Sequence, residues 1–237
     1  MSAIRGARER ARIEVTAAIK DEARKQLAAE GAAKLSLRAV ARELGMVSSA
    51  LYRYFPSRDD LLTALIVDAY DAVGEAAERA HRAADAEPGA PATGLTRWVA
   101  VGCAVRDWAL AHPHEYALIY GSPVPGYSAP QDTVGPAARV GMVLIAIVEE
   151  ARRDEGLALA PLPDELRPEA ERLAADVAPG LAPAVAAPLV AAWAQLFGLI
   201  SFEVFGQFNR VVEAREVFFR QAVTELARTV GLLGRRG

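Results

Sequence analysis

The sequence predicts an all-α protein, with a small N-terminal helix-turn-helix domain at 1–58 and a larger helical bundle at 59–237. Three observations predict it. Apolar residues recur at spacings of three and four, and no stretch alternates with the period of a strand. Clusters of proline and glycine divide the chain into pieces of helical length. The stretch from Ser36 to Arg58, SLRAVARELGMVSSALYRYFPSR, carries the punctuation of two short helices joined by a tight turn.

Composition sets the outer limits. The chain has 237 residues, 52% hydrophobic and 24% charged, enough for a sizeable core and for two domains. A single cysteine excludes an internal disulfide framework and fits a reducing cytoplasm. The formal net charge of −3 alone argues against a nucleic-acid partner, but its distribution does not. Through position 60 there are 12 Lys+Arg against 8 Asp+Glu, a balance of +4, and beyond it 15 against 22, a balance of −7. A basic first quarter on an acidic body suits a protein that meets DNA with one end.

In chain order, residues 1–7 read as a disordered basic arm, and a first helix as 7–29 with Ile13, Ala17, Ala18 and Leu27 among its buried positions. The arginines ahead of Ile13 fit either a DNA-touching arm or a solvated tail. Ser36 is an N-cap candidate for a helix buried through Leu37, Val40, Ala41 and Leu44, and Gly45 supplies the left-handed turn that ends it. Ser48 is a second cap candidate, opening a helix from Ser49 to Phe55 that Pro56 stops. Asp59 and Asp60 suit the first turn of a long helix reaching Ala84. Further helices are expected at 94–111, 114–120, 136–153, 165–177, 183–208 and 212–232, with loops at 87–93, 121–131 and 156–163. The uncharged run 177–202 has the length of a bilayer span, but Pro179, Gly180, Pro183 and Pro188 crowd its first half, and a buried helix with no membrane partner is expected.

Helix, glycine turn and helix is the unit that sets a second helix in the DNA major groove. Its exposed side would carry Ser48, Ser49, Tyr52 and Arg53. Hydroxyls suit phosphate oxygens, and a guanidinium can bond a guanine edge with two hydrogen bonds. Ser36, Tyr54 and Arg58 complete the candidate DNA-contacting set.

LGMVSSALYRYFPSRDDLL closely resembles the end of the DNA-binding domain of TetR/AcrR-family transcriptional regulators. In that family a recognition helix ends in an aromatic pair, followed by Phe-Pro-Ser-Lys and an acidic-leucine run. Tyr54-Phe55-Pro56-Ser57-Arg58 and Asp59-Asp60-Leu61-Leu62 stand in those places, with Arg58 for the usual lysine. Farther on, Trp108-Ala109 with His112-Pro113-His114-Glu115-Tyr116 and Tyr120-Gly121, and later Phe197 to Gly206, resemble the WHG-type C-terminal domain of one branch of that family. The resemblance implies a cytoplasmic, ligand-responsive regulator, a repressor that binds palindromic operator DNA as a homodimer and is released by a small apolar effector. No cofactor is expected.

Trp98, Val101, Trp108, Tyr116, Tyr120, Met142 and Phe197 are the candidate effector-binding residues, although stripes at this spacing also build plain core. Leu189, Trp193, Leu196, Ile200, Val204, Phe218, Phe219, Ala222 and Leu226 give the last two helices wide apolar faces, and they are the candidate dimer interface. His112, His114 and Cys103 are metal-ligand types, but two histidines flanking a proline are better explained as helix-terminus residues, and Cys103 as a small core residue. No phosphate-cradling loop and no nucleophile elbow is present, which argues against an enzyme. Two other classes fit the same features: a nucleoid-type protein binding DNA without an effector, and a small-molecule-binding protein or enzyme on a helical scaffold.

Overall fold

The computed structural model describes residues 2–84, 92–177 and 179–233. Among them are ten α-helices and no strand: α1 (Ser2–Glu30), α2 (Leu37–Glu43), α3 (Ser48–Leu51), α4 (Arg58–Ala84), α5 (Gly94–Ala111), α6 (Pro113–Tyr120), α7 (Val134–Asp154), α8 (Arg167–Asp176), α9 (Pro183–Val204) and α10 (Arg215–Thr229). Most of the loop expected at 87–93 lies outside the described residues. The chain divides into two units, one of Met1–Tyr70 with His112–Pro136, the other of Asp71–Ala111 with Ala137–Gly237.

The first unit is built around Ile19, Ala23 and Leu27 of α1, Leu37, Val40 and Ala41 of α2, Leu51 of α3, Phe55, and Leu61, Leu62, Leu65 and Ile66 of α4, all buried in one cluster. Gly45 takes φ +64° after α2; its N–H bonds the Arg42 carbonyl (3.1 Å) and that of Met46 bonds Ala41 (2.8 Å). This paired closure turns the chain sharply without stranding the carbonyls of the helix end. α6 belongs to this unit and packs on α1. There Arg24 is a hub: Nε reaches Glu115 of α6 (2.9 Å), Nη2 reaches Asp68 of α4 (2.6 Å) and Nη1 reaches Asp21 (2.8 Å), while Lys20 also bonds Asp68 (2.8 Å). Tyr70, Tyr116 and Tyr120 form an aromatic cluster beside it, with ring centroids 6.0 and 5.1 Å apart, and the Tyr70 hydroxyl donates to the Ile119 carbonyl (3.3 Å). Burial pushes the Tyr70 and Tyr120 hydroxyls above their ordinary titration range, so both stay neutral donors.

Three expectations for this unit are corrected. Of the four α1 positions expected to be buried only Leu27 is; Ile13 is 60% exposed and Ala17 and Ala18 are exposed, because α1 turns Ile19, Ala23 and Leu27 to the core. Residues 2–7 continue α1 instead of forming an arm: the segment holds no proline, and Ala3, Arg5 and Ala7 are good helix formers. α3 is only four residues long, not 49–55, and Val47, not Ser48, occupies its cap position. Beyond Leu51 the chain tightens: Arg53 N–H bonds Ala50 and Tyr54 N–H bonds Leu51, at 3.2 and 2.8 Å, an i to i+3 pattern. Elsewhere the differences are at the ends: α9 stops at Val204 and α10 starts at Arg215, with Gly206 (φ +82°) and Arg210 (φ +63°) in the intervening turn.

In the second unit α5 packs on α9 and α10, and α8 on α9. Gly102 permits this closeness, because a Cβ there would lie 2.7 Å from Val223 Cγ1 of α10. Arg106 of α5 makes two 2.7 Å bonds to the buried Glu203 of α9, and its guanidinium lies 5.3 Å from the ring centre of Phe219 on α10. α9 is long and apolar enough to cross a bilayer, but Val185, Leu189, Ala192, Leu196 and Ile200 are spent on the core of this bundle. Across α4 and α7, Arg139 bonds both oxygens of Glu78 (2.9 Å each) and Asp71 (2.7 Å). Gly74, between those carboxylates in sequence, leaves room for the Arg139 side chain, which a Cβ would meet at 2.7 Å.

Arg58 closes the first unit: Nη2 donates to the Ala32 carbonyl (2.8 Å), Nε to Leu35 (3.2 Å), and Nη1 pairs with Asp59 (3.3 Å). Two stability outcomes follow from these contacts. Arg58→Ala is expected to destabilise the chain by about 1.5–3 kcal/mol, measured by denaturant unfolding. Glu203→Ala, which strands a buried guanidinium, should cost about 3–5 kcal/mol, whereas replacing Arg106 and Glu203 together by methionine and leucine should recover most of that loss.

Candidate nucleic-acid interface

The interface is assembled by caps and by what lies behind it. The Ser36 hydroxyl accepts the Ala39 N–H at 3.4 Å, so this serine caps α2. At the start of α4, Ser57 Oγ accepts the Asp60 N–H (3.1 Å) and donates to the Asp60 carboxylate (2.7 Å), a side-chain cap that fixes where the recognition segment ends. Between them, Leu51 and Phe55 are buried, and burying them turns the opposite side of the segment outward. On that side Ser49, Tyr52 and Arg53 are exposed, Ser48 is half-buried, and Val47 is 70% exposed.

Three of the residues expected to touch DNA have other duties. Ser36 is occupied as a cap. Tyr54 packs against the core cluster, since the segment has tightened and drawn its ring inward. Arg58 is held by the backbone carbonyls of Ala32 and Leu35, which take up its Nη2 and Nε donors. In their place Lys34, Arg38 and Arg42 stand exposed around α2, and Arg8, Arg10 and Arg12 along α1. Arg38 was legible in the spacing of α2, since it lies off the stripe of Leu37, Val40 and Ala41. Val47 was not, because nothing in its type announces exposure.

The effector-binding candidates fall in two places. Tyr116 and Tyr120 lie in the first unit, Tyr116 fully buried. Trp98, Val101 and Trp108 line α5 of the second unit, with Phe197 on α9, and all four are buried. The Trp98 indole N–H has no hydrogen-bond partner. Met142 is 56% exposed: α7 buries Val140, Val143, Leu144 and Ile147, which leaves Met142 facing out, and it does not line an interior site.

Among the dimer candidates, Leu189, Leu196, Ile200, Phe219 and Leu226 are buried within the chain's own bundle, so they are core rather than contact surface. Val204 and Ala222 are half-buried, and Trp193 and Phe218 are exposed. Phe202 and Phe205 join them as exposed aromatics that the sequence reading left out, with Phe208 bridging the rings of Phe202 and Phe218 at 5.7 and 5.6 Å. Cys103 is half-buried and its thiol is pushed up chiefly by burial, which disfavours the reactive thiolate.

Comparison with known proteins agrees with this geometry. Residues 19–65 match the family model of bacterial regulatory proteins of the tetR family, and residues 98–226 match that of the tetracyclin repressor-like C-terminal domain. The chain is 42% identical over 207 residues to the HTH-type transcriptional regulator Rv1816 of Mycobacterium tuberculosis, covering 86% of each, and equally to Mb1846 of Mycobacterium bovis. Among solved structures it resembles SCO4313, described as a regulatory protein, with TM-score 0.76 and 33% identity over 92% of this chain and 97% of that one. RolR, crystallised with resorcinol, shares the fold at TM-score 0.51 and 13% identity. An uncovered recognition surface on a capped helix-turn-helix, followed by a matching helical C-terminal domain, has one reading: the chain belongs to the tetR family and is a helix-turn-helix transcriptional regulator, not an enzyme.

Proposed function

We propose that this regulator is a cytoplasmic repressor that binds a near-palindromic operator as a homodimer and leaves it when a small, largely apolar effector binds a WHG-type C-terminal domain. The observation that carries the proposal is the exposed set Ser49, Tyr52 and Arg53, held outward by the burial of Leu51 and Phe55. Arg53 is the base reader, and Tyr52 and the α1 and α2 arginines are the phosphate contacts. Supporting the dimer are the exposed aromatics Trp193, Phe202, Phe205 and Phe218 on and beside the last two helices. A two-fold dimer presents two recognition segments about one helical turn apart, ~34–36 Å. Supporting an apolar effector is the lining available on α5 and α9: Trp98, Val101, Trp108 and Phe197 carry no charge.

Release requires that the effector bind the DNA-incompetent conformation more tightly, and operator DNA must weaken the effector by the same factor. Two elements are suited to carry that coupling. α4 begins at Arg58, directly after the recognition segment, and ends at Ala84. α6 falls inside the C-terminal family match yet is bonded to α1 through Glu115 and Arg24, so a shift of α6 pulls on a helix of the DNA-binding unit.

Gel shifts with the inverted repeat flanking the regulator's own gene test the proposal. A single protected palindrome and a dimer in solution are expected; a stable monomer that ignores every duplex at low salt overturns it. Arg53→Ala should weaken that operator by about 1–3 kcal/mol while leaving random duplex nearly unaffected, and Tyr52→Phe should weaken both alike.

A further inference from the structure

Val47 breaks a rule that its neighbours keep. α2 is capped by the Ser36 hydroxyl and α4 by that of Ser57, but α3 has valine at the cap position and no side-chain cap bond. Valine is among the poorest residues there, having no atom to accept a free N–H. Packing does not explain it, because Val47 is 70% exposed. The preceding residue, Met46, is the one that packs against the core cluster. Nor does backbone geometry require it: φ −70°, ψ 137° suits serine equally, and the bonds from Ala50 and Leu51 N–H go to the Val47 carbonyl, at 2.9 and 3.4 Å, whatever its side chain. Uncapped helix starts and exposed valines occur elsewhere in the chain; what sets Val47 apart is that its free side chain stands at the head of the segment turned outward.

Its place narrows the function. Val47 immediately precedes Ser48 and Ser49, at the head of the recognition segment, and the first residues of such a helix are those that meet base edges. Two methyl groups cannot bond a phosphate or a polar base edge. The apolar feature that the major groove offers is the C5-methyl of thymine. Resting on the operator-binding function above, we infer that Val47 is a specificity-determining residue that reads a thymine methyl in each half-site. The contact needs only the valine methyls; the four-residue helix contributes no anion site.

The test uses the full chain and duplexes enriched from a random pool by the unaltered protein. Each thymine of a half-site is replaced in turn by deoxyuridine, which lacks only the methyl. At one position per half-site the unaltered protein should bind about three- to fivefold more weakly. Val47→Ser should bind thymine and deoxyuridine there equally, both at the weakened level, and Val47→Thr, keeping one methyl, should fall between. Both variants should melt no lower than the unaltered chain, since each restores a capping hydroxyl. Indifference of the unaltered protein to deoxyuridine at every position overturns the inference, as does undiminished discrimination by Val47→Ser. A lower melting temperature for Val47→Ser would show that the valine serves the fold, and overturns it too. Enrichment of no duplex at all would overturn operator binding itself, and this inference with it.

Discussion

A helix of four residues cannot hold its own shape in water: nucleation costs more than one turn returns, and α3 has neither length nor a side-chain cap to offset it. Its geometry is therefore borrowed from the core. Leu51 and Phe55 are buried among residues of α1, α2 and α4, and Arg58 ties the start of α4 to the carbonyls before α2. Everything the recognition surface does, from the direction of Arg53 to the exposure of Val47, depends on that anchorage. This is why Leu51, Tyr54 and Phe55 are spent inward while Val47, Ser49, Tyr52 and Arg53 stay outside.

The second unit solves a different problem. α9 is almost wholly apolar and could pack in several registers against α5 and α10. The Arg106–Glu203 pair, with Phe219 beneath the guanidinium, permits one of them, because a slipped helix would leave a buried charge unmatched. Gly102 adds a steric version of the same instruction, since only there can Val223 approach so closely.

Much of this was legible in the sequence. The all-helical class, the positions of α4 and α5 and the turn at Gly45 followed from periodicity and caps, and the regulator family from the resemblance of one motif to a known domain. Three kinds of feature did not. The shortness of α3 depends on i to i+3 bonds that no propensity announces. The division of apolar faces between core and exterior, which reassigned Leu189, Leu196 and Ile200 inward and left Met142 outward, is set by which helices meet, and periodicity gives only a stripe without its partner. The capture of Arg58 by carbonyls more than twenty residues earlier is a tertiary event that residue type alone does not announce.

One consequence of α4 lies in Gly74. A glycine inside a long helix is its softest point, and here Arg139 bridges it, gripping Asp71 on one side and Glu78 on the other. The turn of α4 that lacks a side chain of its own is thus spanned by ion pairs. Dissolved ions screen such a bracket, so ionic strength acts on the tie between α4 and α7 at this one joint.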